Sequence, residues 1–156
     1  MMRIAIPGHP GLELDHLILD FNGTLAVDGV LLDGVADRMR RLAKALEIHV
    51  ITGDTHGTAS AQLQSLPCRV EILAALHQAE AKQTRIRDLG PQHCAAIGNG
   101  RNDRFLLREA ALGIATIQME GAAMDTLREA DVVAPDIHAA LDLLLHPTRL
   151  VASLRT

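Results

Sequence analysis

The sequence predicts an α/β protein, with helices layered on a largely parallel central sheet. Three observations carry that prediction. Short apolar runs alternate with helical patterns along the 156 residues, which is how strand–helix–strand units read. The clearest helical pattern has a single apolar stripe. Pro91 and Pro135 fall at junctions between predicted elements, where proline ends one element and begins the next.

Taken in order, Arg3–Ile6 is a first strand set apart by the turn-rich IPGHPG. His16–Asp20, Glu47–Ile51, Arg69–Leu73, Cys94–Ile97, Gly113–Ile117 and Asp131–Val133 are short apolar runs that read as the strands of the main sheet. Gly34–Leu46 is a helix whose stripe is Val35, Met39, Leu42 and Leu46, with Arg and Lys on the opposite face. His77–Leu89, Asp103–Ala111, Ala122–Ala130 and Asp136–Leu145 are the other predicted helices. The tail from residue 146 to 156 carries Leu150, Val151 and Leu154 and reads as a last helix or docking arm. A chain of this length without a linker or repeat is expected to form one domain, residues 1–156, with residues 1–10 as a small strand and turn.

Composition excludes several classes. A net charge of −4 gives no general attraction to nucleic acid or anionic membrane. Phe21 and Phe105 are the only aromatic residues, too few to build a stacking platform for single strands. No apolar run is long enough for a membrane span, and no signal peptide is expected at the N-terminus. Cys68 and Cys94 stand alone, without a CxxC pair or a His partner at metal spacing, and read as buried, reduced thiols of a cytoplasmic protein.

In an open parallel sheet the ligand site lies beyond the carboxyl ends of the strands. Those ends hold Asp20 after LIL, Thr52 after HVI, and GNGRND after CAAI, with Lys82 on the helix between the last two. A carboxylate fixed at a strand end can act as a nucleophile toward phosphorus. Gly23 and Thr24 are expected to turn backbone N–H groups toward an anion in the same space. Thr52 offers a hydroxyl and an N–H, with Gly53 permitting close approach. Lys82 supplies positive charge, and Asp103 with Asn99 and Asn102 offers oxygen ligands for Mg²⁺. Phosphoryl transfer needs mainly positioning and charge neutralisation. Each piece also has an ordinary reading: an Asx turn at Asp20–Thr24, a helix cap at Thr52–Asp54, a solvated face for Lys82, a turn and helix start at GNGRND. Their order and shared placement at strand ends favour the phosphoryl site.

DFNGTLAVDG, ITGD, Lys82 and GNGRND resemble, in order, the four motifs of the haloacid dehalogenase (HAD) superfamily. ITGDTHGTASAQL and GNGRNDRFLLREAALGIA look most like the phosphorylation domain of P-type ATPases, and the chain is similar to small stand-alone, P-type ATPase-like phosphatases of that group. The resemblance implies a three-layer, Rossmann-like (HAD-like) domain. It implies Asp20 as nucleophile, with Asn22, Thr52 and Lys82 completing the catalytic set. Gly23, Thr24, Thr52, Gly53, Lys82 and Asn102 would contact the phosphoryl group, and Asp20, the backbone of Asn22, Asn99 and Asp103 would hold Mg²⁺.

Two departures from the family pattern matter. Asn22 stands where these phosphatases usually carry a second aspartate that protonates the leaving group and activates water. An amide does neither, so slow turnover or a long-lived aspartyl phosphate is expected. Asn99 stands where a metal-binding aspartate is usual, which predicts weak Mg²⁺ dependence centred on Asp103. Asp28 is too far along the turn to replace the missing acid. The intervals Asp20–Thr52 and Thr52–Lys82 leave no room for a cap domain, so the site is expected to be open and a neighbouring copy in a homo-oligomer to provide a lid. The implied substrate is a phosphorylated small molecule or macromolecule, chosen by loops such as Asp54–Thr58 and Arg101–Arg104. The competing readings are a domain that binds Mg²⁺ and phosphate without useful turnover, and a subunit working in trans with a membrane ATPase. Of the histidines, His49 reads as a sheet residue and His56 as a helix-start residue close to the site. His9, His16, His77, His93, His138 and His146 show no ligand spacing.

Overall fold

The computed structural model describes residues 1–156. Its main sheet is six strands, all parallel: β3 (His16–Leu19), β6 (Glu47–Thr52), β7 (Arg69–Ile72), β8 (Cys94–Gly98), β9 (Leu112–Thr116) and β10 (Val132–Ala134), in the spatial order β10-β9-β8-β3-β6-β7. The chain enters at β3, runs outward through β6 and β7, then returns to lay β8 against the other side of β3. The strand order therefore reverses between β3 and β8, and the carboxyl ends beside such a switch point are where an open parallel sheet places its ligand site.

Strand alternation sends successive residues to opposite faces. Leu17 and Leu19 join a large cluster with Val35, Met39 and Leu42 of α1 (Val35–Leu42) and Ile137, Leu141 and Leu144 of α6 (Ile137–Leu145). Ile18 faces the other way, packing with Ile86 of α3 (Gln78–Leu89) and Leu106 and Leu107 of α4 (Arg104–Glu109). Each face of the sheet is thus covered, giving the three layers. A bidentate pair, Arg38 Nε and Nη2 on Asp142 at 2.9 and 3.1 Å, ties α1 to α6. The remaining helices are α2 (Ala59–Leu63), α5 (Met124–Glu129) and α7 (Pro147–Leu154), the last docking through the fully buried Leu150.

The expected α1 helix stops four residues early, at Leu42. Its stripe survives nonetheless, because the turn that follows still buries Leu46. The N-terminal strand β1 (Met2–Ile4) is apart from the main sheet, as its flanking turns suggested. It pairs antiparallel with β2 (Leu12–Leu14), which the sequence pattern did not reveal. A second unforeseen feature follows Asp20, where β4 (Ala26–Val27) and β5 (Val30–Leu31) form a hairpin. Asp28 and Gly29 both have positive φ, 51° and 74°, as a two-residue hairpin turn matching strand twist requires. The hairpin is pinned to α2: Thr58 Oγ1 donates to Gly29 O at 2.6 Å, and Leu31 N donates to Gln62 Oε1 at 2.6 Å. No further domain is inserted between the elements, so no cap covers that end of the sheet.

Candidate active site

Asp20 follows directly on β3, and its N–H continues the ladder by donating to Ile97 O at 3.1 Å. Across the switch point, β8 ends at Gly98 and delivers the loop 99–103. Lys82 reaches into the space between them from α3. Its Nζ lies 2.7 Å from Asp20 Oδ1 and 2.6 Å from Asp103 Oδ1. Lys82 and Asp103 are fully buried and Asp20 is 6% exposed. The solvated-face reading of Lys82 is therefore overturned: the side chain is buried and its ammonium donates to two carboxylates.

The charges do not balance, since one ammonium faces two carboxylates. Burial, followed by the neighbouring charge of Asp103, pushes the Asp20 carboxyl up to about 7, against the opposing pull of Lys82 and the Phe21 N–H. Burial also disfavours the Lys82 ammonium, but Asp103 and Asp20 outweigh it and hold the lysine above its ordinary range.

Asp103 is oriented by backbone. Its Oδ2 accepts from the N–H groups of Asn99 and Gly100 at 3.1 and 3.0 Å. A side chain at Gly98 would place its Cβ 2.5 Å from Asp103 Cγ, so glycine there makes room for the carboxylate. Thr52, at the end of β6, is almost fully buried and its Oγ1 accepts from Asp54 N at 3.0 Å. Asp54 itself sits at φ 47° and its Oδ1 accepts from Thr58 N and Ala59 N, both at 3.0 Å, so the helix-start reading of this segment also describes the structure. His56 is exposed and packs beside Gly29 of the hairpin tip.

Other expected groups are committed elsewhere. The N–H groups of Gly23 and Thr24 do not face an anion space: they close the turn, donating to Ala26 O at 2.8 Å and Phe21 O at 3.2 Å. Thr24 Oγ1 donates to Asn99 Oδ1 at 3.2 Å, and Asn99 Nδ2 donates to Gly121 O at 3.0 Å. Asn99 thus fastens the 99–103 loop to the turn after Asp20. Asn102 Nδ2 donates to Gln78 Oε1 at 2.8 Å. Asn22 Oδ1 is buried with no hydrogen-bond partner, a rare condition for an amide oxygen.

Two site residues escaped the sequence reading. Gln78 stands one helical turn before Lys82, a spacing that puts both on one face of α3, and its amide fills the space that a side chain at Gly53 would occupy. Gln118 had no sequence signal. Its Nε2 donates to Gly23 O and Thr24 O at 2.8 and 2.6 Å, and its Oε1 accepts from Ile137 N at 3.1 Å, fixing the turn after Asp20 to α6.

No protein-family model matches the chain. An uncharacterised protein of Methanocaldococcus jannaschii is 53% identical over 60 residues, which is 38% of this chain and 64% of that protein. The probable copper-exporting P-type ATPase V of Mycobacterium tuberculosis is 37% identical over 95 residues, 60% of this chain but 12% of the ATPase. The chain therefore spans less than two thirds of either relative. Among solved structures, the 3-deoxy-D-manno-octulosonate 8-phosphate phosphatase of Moraxella catarrhalis, in complex with magnesium, phosphate and KDO, superposes with a TM-score of 0.66 at 18% identity, covering 91% of this chain and 94% of that one. The cobalt-bound deoxy-D-mannose-octulosonate 8-phosphate phosphatase of Haemophilus influenzae gives 0.70 at 15% identity, covering 92% and 94%. A zinc-transporting PIB-type ATPase gives 0.59 at 22%, covering 80% of this chain and 20% of the pump. These likenesses show a shared fold, met in stand-alone phosphatases and within a membrane ATPase.

Proposed function

Since the chain has the capless fold of the haloacid dehalogenase superfamily, we propose that it is a Mg²⁺-dependent phosphohydrolase or phosphotransferase that works through phospho-Asp20. The observation that carries this reading is the buried Asp20–Lys82–Asp103 array at the strand switch point. An oxygen of ionised Asp20 attacks the phosphorus, and the bond to the leaving oxygen breaks. Water then attacks the phosphorus of the acyl phosphate, releasing inorganic phosphate and restoring the carboxylate. Lys82 holds phosphoryl oxygens, and the Thr52 hydroxyl, fixed by its bond to Asp54 N, faces the same edge.

The donor set fits a hard divalent cation. Asp20 and Asp103 supply carboxylate oxygens, and their surplus negative charge is what a bound cation would neutralise. When bound, Mg²⁺ would neutralise charge building on the phosphoryl oxygens. Asn99, with its amide already engaged, acts in this reading by positioning the loop, and Asp103 is the principal ligand on β8's side.

Asn22 sets the rate. Its amide N–H is too weakly acidic to protonate the leaving oxygen and its carbonyl too weakly basic to take a proton from water, so the leaving group and the attacking water exchange protons with solvent. General acid–base help is worth about 10²–10⁴ in rate, and turnover is slow by that order. A phosphorylated small molecule or protein fits an open site. Leu76 and Met119, 76% and 85% exposed, lie on the loops after β7 and β9 at the same edge, where the lid of a second copy would rest. No helix is long and apolar enough to cross a membrane, and the free thiols Cys68 and Cys94 suit a reducing cytoplasm.

Release of phosphate from para-nitrophenyl phosphate with Mg²⁺ tests the reading: it is expected from the native chain and absent from Asp20→Asn. Equal rates from the two proteins would remove Asp20 as the nucleophile. The amides at Asn22 and Asn99 favour a second reading, in which the domain binds Mg²⁺ and a phosphorylated partner without useful turnover. That reading predicts phosphate binding with no release from either protein.

A further inference from the structure

At the opposite edge of the sheet, where β3 and β6 begin, His16, Glu47 and His49 converge. The register explains it. His16 pairs with Glu47 and Ile18 with His49, so all three polar side chains emerge on one face of two adjacent strands. His16 Nδ1 and His49 Nε2 are 3.2 Å apart. Glu47 Oε2 lies 3.7 Å from His16 Nδ1, and Glu47 Oε1 lies 3.9 Å from His49 Nε2. Beside His49 opens a cleft of about 480 Å³ that also exposes Arg69, Arg85 and Leu89.

We infer that His16, Glu47 and His49 form a binding site for a transition-metal ion of the Zn²⁺ class, separate from the phosphoryl site. Two nitrogens bound at about 2.0–2.1 Å to a tetrahedral Zn²⁺ lie about 3.3 Å apart, so the imidazoles already stand at coordination spacing. The carboxylate has to swing in so that one oxygen meets both nitrogens, from a starting arrangement in which the three candidate ligand atoms lie within 4.8 Å of one another. Two imidazoles and one carboxylate with a fourth position open to solvent is a donor set Zn²⁺ accepts, and imidazole nitrogen suits Zn²⁺, Cu²⁺ or Ni²⁺ rather than Mg²⁺. Arg69 Nη2, on the exposed flank, holds Glu47 Oε1 at 2.7 Å and leaves Oε2 toward His16, the kind of outer contact that orients a ligating carboxylate. Without metal, one proton is shared between the two facing nitrogens. On binding it moves to the far nitrogen of its own ring, so both ligand atoms present lone pairs.

The site would staple β3 to β6 about 13 Å along β3 from Asp20, taking four residues at roughly 3.3 Å each. The two sites differ in chemistry, oxygen at one edge and imidazole at the other, which makes them separable.

The test titrates the full chain with Zn²⁺ against a competing chelator, in excess Mg²⁺, and repeats the titration with Co²⁺ while recording the visible spectrum. One Zn²⁺ per chain and the intense bands of four-coordinate Co²⁺ are expected. His16→Gln and His49→Gln should each weaken Zn²⁺ binding tenfold or more and abolish the bands, and Glu47→Gln should weaken it with little effect on folding, since Glu47 is partly exposed. Asp20→Asn should leave Zn²⁺ affinity unchanged. Circular dichroism establishes that each variant is folded before it is titrated. Undiminished binding in both histidine variants, binding lost in Asp20→Asn, or no binding by the native chain would overturn the assignment.

Discussion

Asp20 and Asp103 share one ammonium: Lys82 Nζ bridges their Oδ1 atoms at 2.7 and 2.6 Å, and no other cation pairs with either carboxylate. The two acids come from adjacent strands at the point where strand order reverses, so the sheet itself brings like charges together. Most of the predicted behaviour follows from that arrangement.

Removing the shared cation should be costly. Lys82→Met keeps much of the apolar stem but leaves two buried carboxylates facing each other, and loss of one partner from a buried ion pair costs about 3–5 kcal/mol. Urea denaturation at pH 7.5 should show that loss, and Mg²⁺ should restore part of it. A cost under about 1 kcal/mol would mean that the carboxylates are better solvated than their burial indicates.

The Asp20 carboxyl, pushed up to about 7 by burial and by Asp103, makes stability depend on pH. The folded protein holds this proton over a range where the unfolded chain, with a carboxyl near 3.8, has released it. Asp20 therefore contributes stability that is full below about pH 4 and is lost as pH rises through 7. Asp20→Asn should flatten that dependence and raise the melting temperature at pH 7.5 by roughly 5 °C, the equivalent of about 2 kcal/mol in a domain this size. Thermal melts from pH 5 to 8 without divalent cation would reveal it. A native chain whose stability rises over that interval would contradict the sign.

Asn22→Asp tests what limits the rate. Supplying the missing acid should speed phosphate release by about 10²–10⁴ and shorten the life of any phosphorylated form. Stopped-flow or steady-state phosphate release would measure it. No acceleration would indicate that another step, such as product release, is limiting.

Gly98→Ala should damage the site while sparing the sheet. The new methyl would fall 2.5 Å from Asp103 Cγ, displacing the carboxylate from Lys82 and from its two backbone donors. Overpacking of this kind costs about 1–3 kcal/mol, leaving a folded protein with weakened Mg²⁺ stabilisation in thermal shift. Unaltered Mg²⁺ response would argue against Asp103 as a ligand.

How much of this the sequence disclosed depends on the length of each signal. The six parallel strands were legible because each is a compact apolar run, and Asp20, Thr52 and the Asn99–Asp103 loop were found by asking only what stands at strand ends. Strand β2, the β4–β5 hairpin and α2 span two to five residues each, too short to show a period, although Asp28-Gly29 was a turn signal in plain view. The Gly23 and Thr24 N–H groups were misassigned because a tight turn uses its own donors, and that is decided by backbone geometry. Lys82 taken alone reads as an exposed helical lysine, since helix periodicity cannot see a carboxylate pair arriving from elsewhere in the chain; only its place in the order between Thr52 and GNGRND assigned it to the site. The His16–Glu47–His49 cluster was invisible for a related reason: it exists only through the register of β3 against β6.

The most direct measurement is the intact mass of the protein after incubation with acetyl phosphate and Mg²⁺, alongside Asp20→Asn. A single phosphoryl adduct on the native chain, lost on hydroxylamine treatment and absent from the variant, is the predicted result. An adduct that persists in Asp20→Asn, or a native chain that neither gains the group nor releases phosphate, would contradict a mechanism through phospho-Asp20.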